Sequence, residues 1–198
     1  MKTTLHSLLL FGLLSNPAYS ELIFQWNDID TPKEKRSGVE ERIKNIALKY
    51  TDKKYAEYGE YNFVTSNEKY YISIVHDPYA AGFNPERRIQ IGNIPDPLME
   101  IIMVHEFAHA YDLEKGIDEI KMAVLDKNEI TMPLIEGRAT KKEYIYLQEI
   151  KDKIPEKYYK KLMRCVDKED YYKTYMKRSL ILLKWVEEVT GIKPGDEY

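Results

Sequence analysis

The chain has 198 residues, of which 43% are hydrophobic and 32% are charged, and its formal net charge is −3. This composition suits a single folded domain with a buried core and excludes a disordered polymer. The slightly acidic balance supplies no basic field for nucleic acid, so we expect no nucleic-acid partner.

Residues 1–20 have the pattern of an export signal. Lys2 is followed by an apolar run from Leu8 to Leu14 and then by the helix-breaking Asn16-Pro17. A small-x-small cleavage pattern comes next, which predicts a signal peptide and a mature domain over residues 21–198. The apolar run is shorter than the roughly 20 residues that cross a bilayer. We therefore expect a secreted or periplasmic protein without stable membrane insertion after signal cleavage.

The first half of the mature chain predicts one helix and a few strands. Segments 61–66 (YNFVTS) and 69–77 (KYYISIVHD) are rich in aromatic and β-branched residues, as strands are. Turn residues follow, and then a short strand through Ile89 and Ile91. Before these strands, apolar side chains at helical spacing predict a helix. They are Val39, Ile43, Ile46, Ala47 and Tyr50.

The second half is mostly helical. Asp96 can cap a helix and Pro97 suits its first turn, so a helix should run from there to about Lys115, with Gly116 as its C-cap. Further helices are predicted at about 132–153, 155–166 and 168–190. An apolar stripe in the last of them is expected to face the core. It consists of Leu180, Leu183, Val186 and Val189.

This order of elements predicts an α+β domain with a small sheet, on which the helices pack. Cys165 is the only cysteine, so the domain has no internal disulfide. Because Cys165 lies in a helix-like segment, we interpret it as a buried thiol rather than a link between chains.

The stretch VHEFAHAYD, residues 104–112, carries His105 and His109 with Glu106 between them. Residues four apart on a helix lie on one face, so both imidazoles can bind a single ion. Glu106 leans to the side of the pair, where it can reach a water without binding the ion. The alternative is an ordinary helix whose two histidines bind no metal. However, the helix is apolar enough to be buried, and buried histidines beside a buried glutamate need partners. The motif therefore predicts a Zn²⁺ site.

A catalytic zinc normally has three protein ligands. Glu136, in the segment MPLIEGRATKKEY, is the best third ligand, because apolar neighbours argue that it is buried. Gly137 after it costs helix stability and suggests close packing against the helix of His105. Asp112 is expected to accept a hydrogen bond from a ligand histidine. Glu143 is the fallback ligand, although it follows two lysines and is expected to be solvated.

His105-Glu106-x-x-His109 followed by Glu136-Gly137-x-Ala139-Thr140 resembles the gluzincin clan of zinc metallopeptidases. The resemblance implies a zincin-like domain with a small mixed sheet, an active-site helix, a glutamate helix and further C-terminal helices. It also implies that His105, His109 and Glu136 bind zinc and that Glu106 is the general base.

The resemblance covers residues 85 to 144. The small size of the chain is similar to that of single-domain minimal gluzincins. Twenty-six residues separate His109 from Glu136, more than in the aminopeptidases of the clan. Thr140 stands where thermolysin-like members carry an aspartate. No Gly-x-Met-Glu-Asn motif precedes the helix, so aminopeptidase specificity is not implied.

Two further parts of such a site are expected. In this clan a strand pairs with the extended substrate, and RRIQIGN, residues 87–93, is the natural candidate for that edge strand. Arg138 either faces the cleft, where it can bind a substrate carboxylate, or pairs with a surface acid. The oxyanion of the tetrahedral intermediate requires a second electrophile besides zinc. Several side chains are candidates for this role. They are Tyr144, Tyr146, His76, Tyr171, Tyr172 and Tyr175.

The sequence thus predicts an exported zinc metalloendopeptidase that acts on a peptide or protein substrate. The alternative is a secreted zinc-binding domain, non-enzymatic or latent, that acts through a protein partner. Glu106 distinguishes the two hypotheses, because a structural zinc site needs four protein ligands and no base beside an open position.

Overall fold

A four-stranded mixed sheet and five α-helices form the part of the chain that the structure describes. The predicted α+β class is therefore confirmed. The structure is a computed structural model, and it describes residues 21–27, 32–49, 69–84, 86–114 and 131–195. The predicted signal segment, the strand predicted at 61–66 and Gly116 lie outside these residues.

The sheet has the strand order β1-β2-β4-β3. Its strands are β1 (Glu21–Trp26), β2 (Lys69–Val75), β3 (Ala81–Asn84) and β4 (Arg88–Gly92). β2 runs parallel to both β1 and β4, whereas β3 and β4 are antiparallel. The alternation along β2 explains why it was predictable, since Tyr70, Ile72 and Ile74 are buried and their neighbours are not. Short β3 lies among turn residues and has no such alternation.

The edge strand is not the one that the sequence predicted. β4, which contains Ile89 and Ile91, is an interior strand between β2 and β3. The edge of the described sheet on this side is β3, a segment whose composition predicts turns. The reason is that the chain reverses at Glu86-Arg87 and brings β3 back against β4.

The helices are α1 (Lys33–Lys49), α2 (Leu98–Glu114), α3 (Thr131–Glu149), α4 (Glu156–Arg164) and α5 (Tyr171–Thr190). α3 ends before its predicted limit, because the chain tightens into a 3₁₀ turn at Lys151–Lys153. Asp170 caps α5 by accepting a hydrogen bond from the Lys173 amide. Among the helices that the structure describes, none combines the length and hydropathy of a membrane-crossing segment.

α2 is the central element of the domain. Its side chains are buried from Leu98 to Asp112, and it packs against α1, α3, β3 and β4. Asp96, predicted as its cap, forms an ion pair with Arg42 of α1 at 2.8 Å. Because α2 touches both the sheet and the helical layer, residues on one of its faces can meet side chains from α3.

The apolar stripe predicted for the last helix is largely wrong. Leu180 is 64% exposed and Val189 44%, whereas Val186 is buried. The buried face of α5 instead includes Arg178 and Trp185. A prediction made from apolar residues alone cannot find this buried face, because the charged Arg178 lies at its centre. Cys165 is buried as predicted, and its thiol donates to the Leu162 carbonyl at 2.9 Å.

We expect Gly92→Ala to destabilise the domain by about 2 kcal/mol or more. A Cβ at position 92 would lie 2.4 Å from the Asp77 carbonyl oxygen and 2.7 Å from Pro78 Cα, so backbone would have to move. The matched control is Gly38→Ala in α1, where no atom lies within 4 Å of the added carbon. That control should stabilise the protein by about 0.5–1 kcal/mol. Urea unfolding measures both, and equal effects would contradict the expectation.

Candidate metal site

Three side chains predicted as ligands lie together between α2 and α3. One ligand atom from each of His105, His109 and Glu136 falls within 4.8 Å of the other two. His105 Nε2 lies 2.9 Å from Glu136 Oε2, and His109 Nε2 lies 3.7 Å from Glu136 Oε1. Both imidazoles therefore turn Nε2 toward the same carboxylate.

The helices explain this convergence. His105 and His109 are one turn apart on α2, and their ring centroids are 4.9 Å apart. Glu136 comes from the first half of α3, which packs on α2. The expected reason for Gly137 is wrong, because an added Cβ there would face Tyr171 and Tyr172 of α5 rather than α2. Its nearest contact would be 3.5 Å, which is ordinary packing distance.

The three groups fit a metal ion. Transition-metal bonds to imidazole and carboxylate are roughly 2.0–2.2 Å, so two ligand atoms of one tetrahedral ion lie roughly 3.3 Å apart. The observed separations of 2.9 and 3.7 Å lie on either side of that value. Two nitrogens and one oxygen supply three ligands. His105, His109 and Glu136 can thus hold a metal ion.

The charges around His105 favour a cation at this point. Burial and the charge of Arg178 act to lower the pKa of His105, but the hydrogen bond to Glu136 and the nearby carboxylates of Glu143 and Glu106 outweigh them and raise it to about 9. Burial, reinforced by the charge of His105, lowers the pKa of His109 to about 3. A metal ion that binds Nε2 of His105 displaces the proton from that nitrogen. The same carboxylates that stabilise the protonated ring therefore also stabilise a bound metal ion.

Glu106 lies beside the three ligands but outside their group. It lines the same cleft and is nearly buried. Burial raises the pKa of its carboxyl group to about 7, although the charge of His105 opposes the shift. The arrangement leaves Glu106 in reach of the cleft, where a proton can be taken up or released.

Glu143 and Arg178 form a buried ion pair behind His105. The Arg178 Nε donates to Glu143 Oε1 at 2.6 Å, and the second oxygen of Glu143 lies 3.3 Å from His105 Nδ1. The expectation that Glu143 is solvated is wrong, since its side chain is 1% exposed. Glu143 lies two turns after Glu136, on the same helix face, and this spacing is a signal that the sequence reading missed. It faces Nδ1, so it orients the histidine rather than joining the three ligand atoms.

Asp112 does not contact a ligand histidine as expected. It accepts two hydrogen bonds from Arg138, at 2.9 and 3.0 Å, and its side chain is 1% exposed. Of the two alternatives for Arg138, a substrate carboxylate in the cleft or an acid of the protein, the structure shows the second. The acid is the buried Asp112 rather than a surface residue. Lys142 lies 4.0 Å from the same carboxylate. The group is structural support at the end of α2.

The three potential ligands face a cleft of about 290 Å³ between β3, α2 and α5. Tyr175 stacks on His105, with ring centroids 5.7 Å apart. Phe83 of β3 stacks on His109 at 6.2 Å. The remaining wall is largely apolar. It includes Tyr79, Ile102, Leu182, Leu183 and Val186.

Of the six candidates for the second electrophile, Tyr175 alone lines this cleft among the described residues. Burial, followed by the charge of Glu136, raises the pKa of Tyr175, so its hydroxyl keeps its proton. Tyr146 donates to Glu100 instead, at 2.9 Å. His76 is exposed. Arg178 is a cleft residue that the sequence reading missed, although it lies on the same face of α5 as the buried Leu182 and Trp185.

A hydrogen bond joins the two walls of the cleft at one end. The Tyr79 hydroxyl, in the loop before β3, donates to the Ile192 carbonyl at 2.5 Å. Ile192 follows α5, which ends at Gly191 in the left-handed conformation, with φ 73°. The loop before β3 and the end of α5 are thereby held at a fixed distance.

Comparison with models of protein families, with curated proteins and with solved structures finds no match to this chain.

We expect Glu143→Gln to weaken metal binding roughly 10- to 100-fold, because a neutral side chain polarises the His105 ring less and leaves Arg178 without its buried counter-charge. Glu136→Ala should weaken binding further, because it removes a ligand. Equilibrium dialysis against Zn²⁺ measures both, and thermal unfolding checks that each variant is folded. Glu149→Gln, on the exposed end of α3, is the matched control. If Glu143→Gln weakened binding more than Glu136→Ala, the ligand assignment would be reversed.

Proposed function

We infer that this protein is a zinc metallopeptidase that hydrolyses peptide bonds in a peptide or protein substrate. The observation that supports this most is the position of Glu106. It lies beside three potential metal ligands, in a cleft that is open to a substrate. A metal that only holds a fold together has no use for a fourth group that is not a ligand or for an open cleft.

Zinc is the metal that this donor set favours. Two imidazoles and one carboxylate, with no fourth protein ligand among the described residues, correspond to a catalytic rather than a structural zinc site. When bound, zinc supplies a water of near-neutral pKa and polarises the carbonyl of the scissile bond.

The residues of the chain have separate roles in this proposal. Glu106 takes the proton of the attacking water and passes it to the leaving amine. Tyr175 donates its hydroxyl proton in a hydrogen bond to the carbonyl oxygen as negative charge develops there. Glu143 and Arg178 keep the ring of His105 in position.

The substrate has a defined place in the cleft. β3 is the edge strand of the described sheet and lies along the cleft, so we propose that an extended peptide pairs with its outer side. The role that the sequence reading gave to RRIQIGN passes to Ala81–Asn84. The apolar residues on the α5 side then surround the substrate side chains.

The resemblance of the motif to the gluzincin clan supports the same function, and a zincin-like fold is part of this proposal. Two details of the chain differ from the clan pattern. Thr140 replaces the expected aspartate, and Glu143, one turn later, lies at His105. The export pattern of residues 1–20 suggests that the protein works in a secreted or periplasmic location.

The decisive test is Glu106→Gln. We expect this variant to retain zinc, because Glu106 is not a ligand, and to lose peptide hydrolysis by roughly 10²- to 10⁴-fold. Zinc content and cleavage of a peptide library are measured on the same sample of residues 21–198. Glu149→Gln serves as the control for a lost carboxylate.

The outcomes separate the hypotheses. Equal cleavage by wild type and Glu106→Gln would sink the mechanism. Zinc without cleavage by wild type would favour the non-enzymatic or latent domain that acts through a protein partner. Absence of zinc from the purified wild type would remove the basis of the proposal.

Tyr175→Phe should lower kcat by about 10²-fold with little change in KM, because the lost hydroxyl acts on the transition state. The phenyl ring keeps the stacking on His105. Tyr172→Phe is the matched control, since Tyr172 stacks on Tyr175 at 5.9 Å but does not line the cleft. Steady-state kinetics on one peptide measures all three proteins, and an unchanged kcat in Tyr175→Phe would exclude this role.

A further inference from the structure

An apolar row lies on the outer side of α5, next to the cleft. Met176 is 52% exposed, Leu180 64% and Leu183 38%. Their spacing of four and three residues places them on one side of the helix. Large apolar side chains that form a contiguous exposed row indicate a binding surface more often than scattered ones do.

Three lysines flank this row. Lys173, Lys177 and Lys184 are exposed on the adjacent sector of the same helix. Lys173 pairs with Asp167, but within the part of the chain that the structure describes neither Lys177 nor Lys184 forms an ion pair. In a chain with a net charge of −3, this is an excess of positive charge confined to residues 173–184, because Glu187 and Glu188 follow on the same helix. We call the six residues the α5 strip.

The strip is continuous with the cleft. Leu183 belongs to both, since it also lines the cleft beside Leu182 and Val186. From Met176 to Leu183 the helix rises roughly 10 Å. About three residues of extended chain cover that length. A polypeptide that emerges from the cleft on this side can therefore run along the strip from Leu183 to Met176.

We propose that the α5 strip binds the part of a polypeptide substrate that projects from the cleft, and that it selects segments carrying apolar side chains and carboxylates. The proposal rests on the proposed function of the cleft. The complementary charge follows from Lys177 and Lys184, which form no ion pair with the described residues, and the apolar requirement follows from the exposed row. A lipid surface fits less well, because bilayer binding grows with the apolar area that is buried and the strip offers only three exposed large apolar side chains.

The test uses the Glu106→Gln protein, which does not depend on turnover, and two fluorescein-labelled peptides. Both contain the core Ala-Gly-Leu-Phe-Ala, one extended by Leu-Asp-Glu-Leu and the other by Leu-Lys-Lys-Leu. Fluorescence anisotropy gives the two Kd values at low salt. We expect the acidic peptide to bind roughly 5- to 10-fold more tightly, with a preference that shrinks as salt is raised.

Strip variants then locate the effect. Adding Lys177→Glu with Lys184→Glu should reverse the preference, and Leu180→Ser should weaken both peptides. The matched control, Lys151→Glu with Lys168→Glu, changes the charge equally at exposed lysines outside the strip and should keep the preference. Equal Kd values, no binding of either peptide, or a preference that survives the strip variant would overturn the proposal.

Two further measurements keep the explanations apart. If vesicles of phosphatidylglycerol and phosphatidylcholine bound the parent but not the strip variant, and the peptides showed no preference, the strip would be a membrane surface and the proposal would be wrong. Hydrolysis by wild type without discrimination would uphold the peptidase and overturn the strip. Discrimination by Glu106→Gln without hydrolysis by wild type would uphold the strip and overturn the peptidase.

Discussion

Ion pairs between buried side chains of neighbouring helices govern this structure. Burying an unpaired charge costs several kcal/mol, yet α2 and α3 bury several carboxylates next to one another. Glu136 is matched by His105, Glu143 by Arg178 and Asp112 by Arg138. Each of these pairs joins two helices, so the ion pairs fix how α2, α3 and α5 lie relative to one another. The geometry of the three potential ligands is a result of that arrangement.

The parts of the site that the sequence predicted are those with local causes. Two histidines four residues apart share a helix face whatever the rest of the chain does. Glu136 could be found because its neighbours are apolar and a motif surrounds it. The class of fold followed from the order of strand-like and helix-like segments. These inferences need no knowledge of which element packs on which.

The errors all concern partners that are distant in sequence. Two lysines before Glu143 suggested solvent, but the side chain faces Arg178, 35 positions later. Asp112 found Arg138, 26 positions later, rather than a histidine. β4 became interior because β3, too short for a clear pattern, folds back against it. The exposed Leu180 shows the same limit, because α5 buries a charged residue and leaves an apolar row outside. Periodicity reports which residues share a face but not which face meets the core.

The pairing of Glu143 with Arg178 also bears on the order in which the molecule is made. A polypeptide emerges from the ribosome starting at its N-terminus, so the motif of α2 and the glutamates of α3 exist well before α5 has been synthesised. Until α5 docks, Glu143, which orients His105, has no buried partner, and one wall of the cleft is missing. A newly made chain thus carries every potential metal ligand without a finished site. The cleft is therefore complete only after the last helix of the described chain has docked.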